Sequence, residues 1–230
     1  MRLSIIIPVF NEDKTITELI QDIQSVDVPL EKEIIVVDDG SRDTTPKRIQ
    51  NIPGLKILTH KYNRGKGAAV KTGLSAATGD IVLIQDADRE YDPHDYPKLL
   101  RPILNGRADV VFGSRFRGDY QRVLYFWHYL GNSFLTFLSN LCTNLNLSDM
   151  ETGYKVFSRA VVDSIKHTLR SQRFGIEPEL TARVARKGWR VYEVPINYSG
   201  RTYKEGKKIH WVDGVYAICA IIYFNVFDRS

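Results

Sequence analysis

At 230 residues, with 43% hydrophobic and 26% charged side chains, the chain fits one large α/β domain with a sizeable core, or two small ones. Its two cysteines, Cys142 and Cys219, lack CxxC or metal-ligand spacing, and its longest apolar tract, Val215 to Phe227, falls short of the roughly 20 residues a bilayer span requires. The formal charge of +5 is uneven: Arg183, Arg186, Lys187, Arg190, Arg201, Lys204, Lys207 and Lys208 face only Glu193 and Glu205, a field suited to a diphosphate, a polyanion or an anionic membrane, or to a plain solvated face.

Leu3 to Val9 reads as a buried strand, followed by Asn11-Glu12-Asp13 as the cap of a helix to about Ser25. A second strand, Glu33 to Val37, ends in Asp38-Asp39-Gly40-Ser41. A helix from Thr44 to Gln50, a strand from Leu55 to His60, the turn Asn63-Arg64-Gly65-Lys66-Gly67 and an Ala-rich helix to Ala77 follow. The next strand, Ile81 to Ile84, runs into Gln85-Asp86-Ala87-Asp88-Arg89-Glu90. This βα alternation predicts a right-handed, mostly parallel sheet with helices on both faces. Ligands of such sheets sit beyond the carboxyl ends of the strands, where Asn11-Glu12, Asp38-Asp39, Asn63-Arg64 and Asp86-Asp88 converge.

Asp92 caps a predicted helix from Pro93 to about Asn105, interrupted near Pro97 or Pro102. Ala108 to Phe112 is a strand. Tyr120 to Leu145 reads as a long helix whose apolar stripe is wider than one core face needs, so it faces ordinary packing, lipid or a partner subunit. After the polar break Ser148 to Gly153 come a short strand Tyr154 to Phe157, a helix Glu177 to Lys187 and a strand Arg190 to Val194. A basic loop from Pro195 to Lys208 leads to a terminal amphipathic helix, Trp211 to Phe227. One domain over residues 1–230 is the economical reading. The cysteines lie in apolar helical patterns and read as reduced core thiols of an intracellular protein, and the apolar run at the N-terminus is too short for an export signal.

In an extended chain Asp86 and Asp88 point to one side, with Glu90 next, a set of hard oxygens suited to Mg²⁺ or Mn²⁺ beside a phosphate-bearing substrate. A loop with a helix cap is the competing reading of the same residues. Rival chemistries are excluded by missing motifs. No GxxxxGK[ST] loop, Gly-x-Ser-x-Gly elbow or zinc-spaced histidine pair exists, and the Gly65-Lys66-Gly67-Ala68-Ala69-Val70 stretch is an incomplete dinucleotide fingerprint.

In their order and spacing, Ile5 to Glu12, Val36 to Ser41, Asn63 to Gly67 and Asp86-Ala87-Asp88 resemble glycosyltransferase family 2, with the GT-A fold. Gly113-Ser114-Arg115, Asp149 to Lys155 and Arg201 to Lys208 are similar to its dolichol-phosphate mannose synthase and polyprenyl-phosphate glycosyltransferase branch, across nearly the whole chain. The resemblance implies a metal-dependent, inverting transfer of a hexose from GDP-mannose or UDP-glucose to a polyprenyl phosphate. By it, Pro8, Phe10, Asn11, Glu12, Asp38, Asp39 and Lys66 bind the nucleotide-sugar, and Asp86, Asp88 and Glu90 hold Mg²⁺ or Mn²⁺. Arg115, Arg122, Arg201, Lys207 and Lys208 clamp the phosphates, with plain surface charge the alternative for Arg122 and Lys208. Asp149 and Glu151 orient the sugar or the arginines, or supply a base as in relatives with hydroxyl acceptors.

Two departures accompany the resemblance: Thr152 replaces the usual Ser, and the paired transmembrane helices of many members do not follow. The expected setting is therefore the cytoplasmic face of a membrane, held peripherally through the long helix, the basic loop and the terminal helix, with no nucleic-acid partner and with self-association left open. A soluble transferase acting on a glycan or protein hydroxyl, and a non-catalytic nucleotide-sugar-binding protein, are the competing functions.

Overall fold

The computed structural model describes residues 1–116, 122, 125–202 and 211–228. In chain order the elements are β1 (Arg2–Val9), α1 (Ile16–Ser25), β2 (Glu31–Asp38), α2 (Thr45–Gln50), β3 (Leu55–Thr59), α3 (Lys66–Ala76) and β4 (Ile81–Ile84). A 3₁₀ turn, Pro93–Asp95, leads into α4 (Tyr96–Leu104), then β5 (Val110–Ser114), α5 (Phe126–Thr143), β6 (Lys155–Ser158), α6 (Arg159–Ile165), α7 (Ile176–Arg186), β7 (Val191–Pro195) and α8 (Trp211–Ile222). A π-helical turn, Tyr223–Phe227, follows α8.

The strands form one seven-stranded sheet in the order β3-β2-β1-β4-β6-β5-β7. Every pairing is parallel except those of β6, which runs against both β4 and β5. Because successive side chains alternate across a strand, a sheet covered on both faces needs apolar residues at every position. Leu3, Ile5, Ile7, Ile81 and Leu83 pack on one face with α1 and α4. Ile6, Ile35, Val37, Val82 and Ile84 pack on the other with α3, α6 and α7. The result is the mostly parallel, helix-flanked single domain that the βα alternation predicts.

Several expectations need correction. Helix α1 starts at Ile16, so Asn11-Glu12-Asp13 do not cap it. Asn11 instead takes a left-handed backbone (φ 52°), and the Glu12 carbonyl accepts the N–H groups of Thr15 and Ile16, turning the chain across the strand ends. The break expected near Pro97 or Pro102 lies just before Pro97, and α4 continues past Pro102 to Leu104. Within the described residues α5 begins at Phe126, and most of the segment from Tyr120 lies outside them. Helix α6 was not anticipated.

The cysteines are not core thiols: Cys142 and Cys219 are exposed. Both occupy apolar helices whose outer faces are uncovered. Phe126, Trp127, Phe137 and Leu141 on α5, and Tyr216 on α8, are all more than half exposed. Helical periodicity identifies a face but not what lies against it. Among the described residues no helix is long and apolar enough to cross a membrane.

Candidate active site

Three parallel strands, β1, β2 and β4, deliver their C-terminal ends to one rim, and the segment 149–153 reaches the same rim because β6 runs the opposite way. A cleft of about 390 Å³ opens there, lined among others by Pro8, Phe10, Glu12, Asp39, Lys66, Asp86, Asp88, Glu90, Arg115, Glu151 and Arg201. Residues from all seven of the predicted motifs therefore meet in one space.

Asp38 and Asp39 hold the rim itself. Asp38 is buried and accepts the Ser41 N–H at 3.0 Å, and it does not line the cleft. Asp39 accepts the N–H groups of Arg64 (2.9 Å) and Gly65 (2.7 Å) and lies 2.6 Å from His60 Nδ1, so this carboxylate shapes the glycine turn before α3. Asn11 is likewise outside the lining: its N–H donates to Ser41 Oγ and its Oδ1 accepts from the Arg42 N–H.

At the floor, Lys66 Nζ bridges Asp86 Oδ1 (2.6 Å) and Glu177 Oε1 (2.7 Å). Burial disfavours a charged lysine, but the two carboxylates override it and hold Lys66 well above its ordinary pKa. Asp86 stands where it does because Gly153 has no side chain; a Cβ there would overlap Asp86 Oδ2. Arg201 spans the opposite wall, with Nη2 3.1 Å from Asp88 Oδ2, Nη1 3.4 Å from Glu12 Oε2, and its N–H donating to Glu90 Oε1 at 2.8 Å. Glu90 also accepts from the Tyr198 hydroxyl at 2.8 Å.

The carboxylates fit a hard divalent cation by donor type and by charge. Asp88 is pushed up to about 7, first by burial and then by the charges of Asp86 and Glu90, against the pull of Arg201. That is an excess of negative charge which a cation would relieve. The donors do not already form a cage: among the described residues no three Asp, Glu, His or Cys groups are placed to hold a metal, and Lys66 and Arg201 neutralise these acids instead.

Arg115 and Asp149 form a buried, two-pronged ion pair, Nε to Oδ2 at 2.6 Å and Nη2 to Oδ1 at 2.7 Å, with Asn132 Oδ1 accepting from Nη2 at 2.8 Å. Burial would raise the Asp149 carboxyl, but the Arg115 charge and hydrogen bonds bring it below its ordinary value. An acid held ionised this firmly is a poor proton acceptor, so its geometry suits orienting Arg115. Arg122 is exposed and donates to the Gly200 carbonyl at 3.1 Å, bracing the segment that carries Arg201. Lys207 and Lys208 lie outside the described residues.

A second cleft, about 670 Å³ and mainly apolar, lies between α5 and α8, lined by residues including Tyr125, Trp127, Phe134, Leu135, Val215 and Ile218. Arg115, Glu151, Phe174 and Tyr198 line both spaces. Sequence reasoning missed Glu177, Phe174 and Tyr198. The signal for Glu177 was an acid within the mixed Ile176-Glu177-Pro178-Glu179-Leu180 stretch, which looks like an ordinary first helical turn.

The family model for Glycosyl transferase family 2 matches residues 4–166, which contain the strands and acidic segments of the polar cleft. The chain belongs to glycosyl transferase family 2. Among the relatives of this family 2 glycosyltransferase, the UDP-N-acetylglucosamine-dolichyl-phosphate N-acetylglucosaminyltransferase of Methanococcus voltae is 28% identical, over 84% of this chain and 83% of that protein. The dolichyl-phosphate beta-glucosyltransferase of Dictyostelium discoideum is 28% identical over 86% of this chain and 66% of its own length. The dolichol-phosphate mannosyltransferase of Pyrococcus furiosus is 36% identical, but over half of this chain (50%) and only 34% of that protein. The fold matches that of glucosyl-3-phosphoglycerate synthase from Mycobacterium tuberculosis with a TM-score of 0.78, covering 100% of this chain and 80% of that one at 22% identity. The glycosyltransferase thus has the GT-A architecture.

Proposed function

We propose that this family 2 glycosyltransferase moves a hexosyl group from a nucleotide-sugar to a polyprenyl phosphate, with inversion, at a membrane surface. The observation that carries the reading is the common wall of the two clefts: a polar, carboxylate-rich space and an apolar groove meet at Arg115, Glu151, Phe174 and Tyr198. A polar donor and a lipid acceptor need adjoining spaces of these two kinds. The names of three relatives, which act on dolichyl phosphate, support the same acceptor.

In this mechanism Pro8, Phe10 and Glu12 flank the nucleoside, and the Asp39-held glycine turn presents Lys66 to the diphosphate. Asp86, Asp88 and Glu90 would hold Mg²⁺ or Mn²⁺, which when bound offsets the charge growing on the departing nucleoside diphosphate. The Mycobacterium neighbour was solved with Mn²⁺ and uridine diphosphate. A lipid phosphate is ionised near neutral pH, so it attacks without a general base and needs placement and charge neutralisation. Arg115, fixed by Asp149 at the junction, and Arg201, on the wall facing it, are the cations placed for that task. Arg201 is paired to Asp88 and Glu12, which holds its guanidinium inside the cleft beside the residues that would hold the cation.

The test is transfer from labelled UDP- and GDP-sugars to a short polyprenyl phosphate, with and without EDTA. Transfer to the lipid phosphate that EDTA abolishes, and that Asp88→Asn lowers at least about 10²-fold, is the expected result. Transfer only to glycan or protein hydroxyls would replace the lipid reading, and full activity of Asp88→Asn would remove the metal assignment.

A further inference from the structure

Two carboxylate oxygens in the polar cleft have no hydrogen-bond donor. Glu177, in the first turn of α7, is only 6% exposed; its Oε1 takes Lys66 Nζ, while Oε2 is buried without a partner. Glu151, in the segment before β6, has a buried and unpartnered Oε1. Both side chains line the polar cleft, and Glu151 also lines the apolar one. They sense each other: after burial, the Glu177 charge is the largest cause that raises the Glu151 carboxyl to about 8. Buried polar atoms in folded proteins are nearly always bonded, so two orphaned acceptors sharing one cleft point to a missing partner.

The chemistry of that partner is narrow. An anion is repelled by the Glu177 carboxylate, the same charge that raises the Glu151 carboxyl. Cations already stand among them, Lys66 on Glu177 and the buried Lys155, which donates to the carbonyls of Met150 and Thr152. A neutral group rich in O–H donors satisfies both oxygens without adding charge. We infer that Glu151 and Glu177 form the subsite for the transferred sugar, each accepting a hydrogen bond from one of its hydroxyls and so setting which hexose is accepted. This rests on the transferase reading above and deepens it. The placement is consistent with the chemistry, because a sugar held there lies beside Lys66 and Asp86 on one side and the junction with the apolar cleft on the other.

The experiment compares wild type, Glu177→Gln, Glu177→Ala and Glu151→Gln on the best nucleotide-sugar and on its mono-deoxy analogues. Binding of the free nucleoside diphosphate is measured by calorimetry alongside. Wild type is expected to lose about 10²-fold or more in kcat/KM when the recognised hydroxyl is removed, because a site built for a hydroxyl rejects the analogue lacking it. Glu177→Ala should lose on the parent donor but little further on one particular analogue, and Glu151→Gln should do so on a different analogue. Nucleoside diphosphate affinity should change less than about threefold in both. Equal losses on the parent and every analogue would overturn the inference, as would diphosphate affinity falling as far as turnover. If Glu177→Ala does not fold, the near-isosteric Glu177→Gln gives the same comparison. Wild type active on a donor yet indifferent to every deoxy position sinks this subsite alone, whereas wild type inactive on all nucleotide-sugars sinks it together with the transferase reading.

Discussion

Asp149 has no exposed surface, yet it carries a charge, because Arg115 grips both of its oxygens and the N–H groups of Arg115 and Asp149 are themselves fixed to Asp149 and Glu193. Removing one member of such a pair leaves the other buried and uncompensated, which costs about 3–5 kcal/mol. Asp149→Ala should lose stability on that scale in urea unfolding, whereas a loss under 1 kcal/mol would mean water reaches Arg115. The pH dependence has a definite sign. The folded carboxyl titrates below its ordinary 3.8, so the ionised pair stabilises the fold above that pH and its contribution fades as the pH falls further. Single residues differed in how legible they were. Asp86 and Asp88 stood out because two acids directly after an apolar strand have few structural uses. Glu177 did not, because an acid in the first turn of a helix is ordinary, and only its distance from every donor but Lys66 reveals it.

At the scale of elements, the start of α3 is set by contact with the segment before α7. Ala68 donates its N–H to the Gln172 carbonyl at 3.0 Å, and a Cβ on Gly67 would lie 2.5 Å from the Ser171 carbonyl oxygen. Gly65 has φ 97°, a backbone that side chains resist. Gly67→Ala should therefore push α3 off this seat and carry Lys66 with it. The expected cost is about 1–3 kcal/mol by thermal or chemical unfolding, with a raised KM for the donor; unchanged KM would show that Lys66 is placed by its ion pairs alone. The glycines were visible in the sequence, but what they approach was not, since the neighbouring backbone comes from a hundred residues further on. Strand direction was equally hidden. A strand was expected over Tyr154 to Phe157 from its apolar residues and forms at Lys155–Ser158, while its reversed course between β4 and β5 depends on how the chain returns from α5. The seven-residue α6 went unread because it is too short to display a helical period.

For the whole molecule, the outer faces of α5 and α8 leave large apolar and aromatic side chains uncovered beside the mouth of the apolar cleft, and the chain as a whole is cationic. A surface of this kind favours an anionic bilayer, with the aromatics at headgroup depth. The protein should co-sediment with vesicles containing phosphatidylserine, less so at high salt. Trp127→Ser with Phe137→Ser should weaken that binding at least about tenfold without lowering the melting temperature, because both side chains are exposed, at 77% and 64%. No binding at low salt would shift the acceptor toward a soluble compound.

The reversed strand β6 also makes the cleft separable into two parts. It lets one rim be furnished by two unlike stretches of chain: the first ninety residues bring Glu12, Asp39, Lys66, Asp86, Asp88 and Glu90, and residues from Arg115 onward bring Arg115, Glu151, Glu177, Arg201 and the α5–α8 groove. The exposed turn at Asn105-Gly106-Arg107 lies between these two stretches. On the proposed reading, substitutions in the second stretch should alter acceptor and sugar preference while leaving nucleotide affinity unchanged.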